Sequence, residues 1–230
     1  MLRSKFIQLA AAISIAAIFV QTGCDDENTL VEGGGGGGAD SARVMLVHAL
    51  PGGPSVDIYL DTTRVRTSLS YPNTTGYIAI ASGTHTVKAK NAGDTTTVAT
   101  LGPLIVTGAL RATIFAGADT MPAVFYDTLT TPATGKANVR VVNMALGSLN
   151  VAAFVDTGTS ALATLAYKGG SRFSTIDSGP HTVDFRVGAI SVATLTNYNF
   201  VAGRSYTVWL RGIVGGVGSL ALGVEVIANN

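Results

Sequence analysis

From about residue 43 onward the chain alternates apolar and polar residues over short stretches separated by turn residues. Val56, Ile58 and Leu60 alternate with Asp57, Tyr59 and Asp61, the pattern of a half-buried strand with one wet face. Pro51-Gly52-Gly53-Pro54 separates the first two predicted strands. The turns Ser82-Gly83 and Ser178-Gly179-Pro180 lead into His85-Thr86-Val87-Lys88-Ala89 and His181-Thr182-Val183-Asp184-Phe185. No stretch after Cys24 sustains a helical period, and the Gly and Thr content disfavours one.

The pattern repeats. Val44-Met45-Leu46-Val47-His48 and Val56-Asp57-Ile58-Tyr59-Leu60-Asp61 align without gaps to Val139-Arg140-Val141-Val142-Asn143 and Val151-Ala152-Ala153-Phe154-Val155-Asp156, an offset of 95 residues. Leu69-Ser70-Tyr71 matches Leu165-Ala166-Tyr167, and Ser82 to Val87 matches Ser178 to Val183. The chain therefore holds two copies of one domain, each predicted to have about seven short strands, with Leu110 to Phe115 and Ser205 to Arg211 as the closing ones. Two antiparallel sheets packed face to face bury that many amphipathic strands economically. The predicted division is a first sandwich over 42–130 and a second over 137–230, with a Thr/Pro/Ala/Gly boundary between them.

The first 41 residues break the pattern. Arg3 and Lys5 precede a mostly apolar run from Phe6 to Val20, shorter than the roughly twenty residues a spanning helix needs. Val20-Gln21-Thr22-Gly23-Cys24 comes next and contains the sole cysteine, which has no partner for an internal disulfide. The arrangement resembles the bacterial lipoprotein signal, although Gln21 stands where that pattern usually has Leu. The resemblance implies a signal peptide over 1–23 and lipid attachment at Cys24. Residues 24–41 then read as a tether: Asp25, Asp26 and Glu27, and later six glycines, Gly33 to Gly38. From Asp25 to Ser41 such a coil reaches about 20 to 25 Å. Acidic residues after the lipidated cysteine resemble an inner-membrane retention signal in one bacterial group and a surface-export signal in another. The expected address is the cell envelope, with the outer membrane or cell surface preferred.

Arg43-Val44-Met45-Leu46-Val47-His48-Ala49-Leu50-Pro51 followed by Val56-Asp57-Ile58-Tyr59 resembles a family of secreted bacterial domains known as domain of unknown function 4397. The likeness is strong in the first copy and degraded in the second, where Asn143, Leu146 and Ala152 replace His48, Pro51 and Asp57. The resemblance implies an all-β chain of two tandem immunoglobulin-like antiparallel β-sandwiches on an exported protein. It brings no activity and no catalytic residues.

Charge narrows the partners. With Arg3 and Lys5 removed, thirteen basic residues face fourteen acidic ones in no basic run, so no nucleic acid is expected. The candidate partners are the membrane, through the lipid, and a protein or glycan of the envelope. His48 and Asp57 fall on consecutive predicted strands, where they could pair or brace the loop from Pro51 to Pro54. No sharp nucleophile turn accompanies them, so no catalytic residue is assigned. His85 and His181 recur at equivalent positions and read as strand-start residues, because each copy offers one histidine there and zinc needs about four ligands. Asp57, Asp61 and Asp94 are too scattered for a calcium loop, and neither metal nor cofactor is expected. Among the aromatics, Tyr71 and Tyr167 occupy matched positions and read as packing residues, beside Tyr59, Tyr77, Phe154 and Trp209. Trp209, alternating with Val208 and Leu210, reads as exposable. The candidate ligand contacts are therefore His48, Asp57, Tyr59 and Trp209. The chain reads as a non-enzymatic binding or structural module, with a carbohydrate-binding accessory as the alternative and an envelope hydrolase third.

Overall fold

The structure, a computed structural model, describes residues 42–118 and 121–230. The predicted signal, lipid site Cys24 and tether fall in residues 1–41, outside the described residues. No described helix is long and apolar enough to cross a membrane.

The first copy folds as β1 (Ala42–His48), β2 (Val56–Leu60), β3 (Thr63–Leu69), β4 (Thr74–Ile80), β5 (Gly83–Asn91), β6 (Thr97–Val106), β7 (Arg111–Ala116) and β8 (Ala123–Tyr126). The second runs β9 (Lys136–Asn143), β10 (Val151–Val155), β11 (Ala163–Leu165), β12 (Ser174–Asp177), β13 (Gly179–Val187), β14 (Ile190–Phe200), β15 (Ser205–Arg211) and β16 (Gly223–Ala228). Each copy thus has eight strands, not the seven read from the pattern: β8 and β16 add to the edge that β7 and β15 seemed to close. Both are short and only partly buried, which weakens their alternation.

The sheets repeat one order. In the first copy they run β4-β1-β7-β8 and β3-β2-β5-β6; in the second, β12-β9-β15-β16 and β11-β10-β13-β14. The first strand of each copy runs parallel to the seventh, with Val44 opposite Ala112 and Val139 opposite Tyr206. Each copy has the two-sheet architecture of immunoglobulin-like domains with its own strand order. Val44, Leu46, Ile58, Val87 and Ile114 fill the first core, and Val139, Val141, Phe185, Phe200 and Val208 the second.

A third apolar cluster joins the copies. Met45, Val47, Ala49, Phe115 and Ala123 of the first pack with Val142, Met144, Trp209 and Ile227 of the second. The sheets containing β1 and β9 are therefore buried on both faces, and the body is four sheets deep. The contacts are reciprocal. Counting from the matched pairs Val44/Ala112 and Val139/Tyr206, Phe115 corresponds to Trp209, and their rings meet edge-on at 5.3 Å. Gly117 corresponds to Arg211 in the same count. The Arg211 guanidinium lies 5.9 Å from the Tyr71 ring centre, while the Tyr167 hydroxyl lies against Gly117. Equivalent surfaces facing one another in this way form a quasi-two-fold interface inside one chain.

Polar side chains close the seam. Asp127 Oδ1 and Arg140 Nη2 form an ion pair at 2.7 Å. Arg140 donates to Thr207 Oγ1 through Nε at 3.1 Å and Nη2 at 2.8 Å. Thr207 in turn donates to Asn229 Oδ1 at 2.7 Å. The Asn229 amide donates to the Tyr77 hydroxyl at 3.2 Å and to Thr113 Oγ1 at 3.3 Å. Both hydroxyls donate to Asp127 Oδ2, at 2.6 and 2.8 Å, and the ring is complete. Burial and the adjacent Asp127 carboxylate push the Tyr77 hydroxyl up to about 12, so it stays a donor.

Removing one partner of a buried ion pair leaves an uncompensated charge, at a cost of about 3–5 kcal/mol. Arg140→Met should therefore lower the melting temperature by roughly 6 to 20 °C. Adding Asp127→Asn should recover a large part of that loss. Melting the native chain, both single variants and the double variant checks this; strict additivity of the two losses would contradict the pairing.

Candidate functional site

His48 ends β1 and is 5% exposed. Its backbone N–H donates to the Asn73 carbonyl at 3.0 Å. Its Nε2 donates to the Pro54 carbonyl at 2.9 Å, closing the loop between β1 and β2, and its ring stands edge-on to Tyr71. Asp57, on β2, works elsewhere: Oδ1 accepts the Ser68 N–H at 2.9 Å, and Oδ2 accepts from Arg64 at 3.3 Å. Ser68 sits at φ +47°, a left-handed position the carboxylate helps to hold. The Ser68 amide, and then Arg64, keep the Asp57 carboxyl below the usual carboxylate range against the opposing effect of burial. Of the two readings, the His48–Asp57 pair does not form, and the bracing of the loop falls to His48 alone, through the Pro54 carbonyl, because β2 directs Asp57 toward the β3 strand.

The pairing that does exist is one the sequence reading missed. Asp61 follows β2 at φ +56° and Asp156 follows β10 at φ +52°. Asp61 Oδ2 meets His85 Nδ1 at 2.8 Å, while Oδ1 accepts the Thr86 N–H at 2.8 Å. Asp156 repeats both contacts, with His181 Nδ1 at 2.6 Å and the Thr182 N–H at 2.9 Å. The signal was present, since both the aspartate and the histidine recur in both copies; only their separation of 24 or 25 residues hid the partnership. His85 Nε2 also faces the Ala81 carbonyl, at 3.0 Å. Both ring nitrogens then face acceptors, and Asp61 above all raises the His85 pKa, while His85 lowers that of Asp61.

The remaining candidates scatter. Trp209 is fully buried in the seam between the sandwiches and offers no surface to a ligand. The strand alternation that pointed it away from the core of its own sandwich pointed it into the partner sheet. Tyr59 lies on the outer face of the first sandwich with Lys90 4.5 Å from its ring centre, and Phe154 repeats this under Arg186 at 4.5 Å. Tyr71 and Tyr167 pack at the seam, as their matched positions suggested, and Tyr77 sits in the buried ring. Asp94 holds its own turn through Thr95 and Thr96. Among the described residues no group of three or more His, Cys, Asp or Glu could hold a metal.

Residues 42–152 match the family model described as "Domain of unknown function (DUF4397)". This stretch belongs to that family. The DUF4397 match takes in all eight strands of the first sandwich, then β9 and the start of β10. Among solved structures the chain is similar to one titled "putative cell adhesion protein" from Bacteroides eggerthii. That similarity has 10% identity and a TM-score of 0.25, covering 82% of this chain and 95% of the other. No curated protein matches the chain.

The Asp61–His85 contact predicts a pH window. The raised histidine contributes stability that is complete below its ordinary value of 6.5 and lost as pH rises through the raised one. The lowered aspartate contributes stability that is complete above its ordinary 3.8 and lost as pH falls through the lowered one. Asn tolerates the left-handed backbone at position 61. The melting temperature of Asp61→Asn should therefore lie furthest below that of the native chain at about pH 5, and the gap should narrow at about pH 3 and 8. A gap independent of pH would leave only the Thr86 amide bond as the role of Asp61.

Proposed function

We propose that this chain is a non-enzymatic binding or structural module of the cell envelope, lipid-anchored through Cys24 and presenting two fused sandwiches to a partner. The supporting observation is how its conspicuous polar groups are used. His48 and Asp57 are committed to separate backbone partners, the two Asp–His pairs hold matching strand ends, and the buried ring holds the sandwiches together. Nothing favours the hydrolase reading, which needed His48 and Asp57 to converge. Intact-mass analysis of protein extracted from its own membranes should give an N-terminus at Cys24 carrying a diacylglyceryl adduct. An unmodified Cys24 would remove the anchor from the reading.

One observation favours the carbohydrate-binding alternative, and it narrows the glycan to an acidic one. Val87 and Ala89 are buried in the first core, so Lys88 and Lys90 between and after them face outward, beside Tyr59 and the exposed Arg64 and Arg66. Among the described residues, Arg64 is the one of these four cations in an ion pair, with Asp57. The matched face of the second copy carries Arg186 paired with Asp184 and is close to neutral. The rings on both faces lie under cations, an arrangement better suited to carboxylates than to stacking of a neutral sugar. The chain should bind polygalacturonate and not dextran in affinity electrophoresis, more weakly as salt rises. Arg66→Glu with Lys88→Glu should abolish the retardation at an unchanged melting temperature; equal retardation by both polymers would overturn the acidic-glycan reading.

A further inference from the structure

A cleft of about 350 Å³ opens at the seam, where β3, β4 and their connecting loop in the first copy meet β15 and β16 of the second. Arg66, Ser70, Asn73 and Thr74 line it from one side, Trp209 and Glu225 from the other, and its walls are mostly polar. Small-molecule sites begin at about 300 Å³ and are usually lined by apolar side chains, so a polar cleft of this size suits a ligand that is itself polar all round.

The charges in the cleft are unequal. Glu225 is answered by Arg211, whose Nε donates to Oε1 at 2.8 Å, whereas Arg66 is exposed and has no ion pair among the described residues. One cation is therefore left for an anionic group, and a guanidinium takes a carboxylate in a bidentate pair. The other groups suit hydroxyls. Asn73 Nδ2 donates to Ser70 Oγ at 2.9 Å, which leaves the Ser70 proton to donate and Asn73 Oδ1 to accept, and the Glu225 carboxylate adds a further acceptor.

The equivalent corner at the other end of the seam is an internal control. Thr74 stands opposite Val47 as Gly170 stands opposite the equivalent Val142, and Ser70 and Asn73 match Ala166 and Gly169 in the repeat. Arg66, opposite Ile58, matches Ala163, opposite Ala153. Glu225, opposite Trp209, matches Ala123, opposite Phe115; Ile227, opposite Thr207, matches Phe125, opposite Thr113. The Phe125 ring lies directly on Gly170 and leaves no room for a side-chain carbon there. Each of these polar residues is thus replaced by Ala or Gly at the other corner, and an aromatic ring packs into it. One fold closes this corner at one end of the seam and keeps it open and polar at the other.

We propose that this cleft is the subsite for a single uronic acid residue, whose carboxylate pairs with Arg66 and whose hydroxyls bond to Ser70, Asn73, Thr74 and Glu225. The proposal rests on the acidic-glycan reading and shares Arg66 with it. Trp209, the sole tryptophan of the chain, lines the cleft and reports on it. Its fluorescence is followed in the full chain, made without its lipid, during titration with galacturonate. Parallel titrations use galactose, which lacks the carboxylate, and acetate, which lacks the hydroxyls. Galacturonate should give a saturable change, with a Kd about tenfold or more below that of either control. Arg66→Leu should bring galacturonate to the level of galactose. Thr74→Gly with Ile227→Phe, which copies the other corner, should abolish the change. Should that variant lose its native melting transition, Ser70→Ala with Asn73→Gly takes its place, with about a tenfold loss of affinity expected. No saturable change, or one unaffected by these replacements, would overturn the site. An equal Kd for acetate would overturn the sugar, and an equal Kd for galactose the role of Arg66. Retardation by polygalacturonate without a response of Trp209 would overturn the cleft and leave the acidic-glycan reading standing, whereas absence of both would overturn both.

Discussion

The two sandwiches are held in one register by a closed ring of hydrogen bonds and one buried ion pair, with Tyr77 at its half-buried rim. Arg140, Thr207 and Asn229 of the second copy and Tyr77, Thr113 and Asp127 of the first each hand a proton on or accept one. Burying such groups is costly, and the pair alone is weak evidence for stability. Its effect lies in selectivity. Sliding one sheet over the other would leave a carboxylate and a guanidinium without partners in a low-dielectric seam, a far larger penalty than mismatching apolar side chains. The apolar cluster around the ring supplies attraction that any register would satisfy in part; the ring admits only one. Close approach adds to this, because a side-chain carbon on Gly170 would stand 2.4 Å from the Phe125 ring.

The ring also favours pairing of unlike copies over pairing of two first copies. Thr113 and Thr207 are equivalent, and so are Asp127 and Asn229, whose N–H groups make the same bond to the Arg111 and Ser205 carbonyls. The sequence repeat places Met45 where the second copy has Arg140. The equivalent faces thus carry opposite halves of the ion pair. Were a first copy to meet another first copy through this face, two Asp127 carboxylates would be buried with Met45 in place of each arginine. That arrangement has no counter-charge, so the internal partner is preferred.

Much of the fold was legible because the strands of the outer sheets obey the period-two rule. Val56, Ile58 and Leu60 alternate as a one-sided strand does, and the repeat, with offsets that shift by only a residue or two, carried the reading of the first copy over to the second. The seam was not legible by that rule, since β1 and β9 are covered on both faces and such strands read as nearly continuous apolar runs. Val44-Met45-Leu46-Val47 carried that signal. Arg140 in the matching run puts a charged residue inside a doubly buried strand and so breaks that signal. Trp209 was misread for the same reason: outside its own core meant inside the seam. The Asp–His pairs, by contrast, were visible in the repeat and needed only to be considered jointly.

Pairing through the inner sheets decides which surfaces remain for a partner. The faces that contain β1 and β9 are consumed, so recognition is left to the outer sheets and the loop ends. On these, too, the copies differ. The first keeps Arg64, Arg66, Lys88 and Lys90 on its outer sheet, while the second neutralises Arg186 with Asp184. The first leaves a cavity beside His48, while the second closes the same end with Asn143, Phe185 and Leu210. On the proposed reading as a binding module, these two differences would make the first copy the one that meets a partner. The ring of hydrogen bonds would then hold the first copy in a fixed setting against the second.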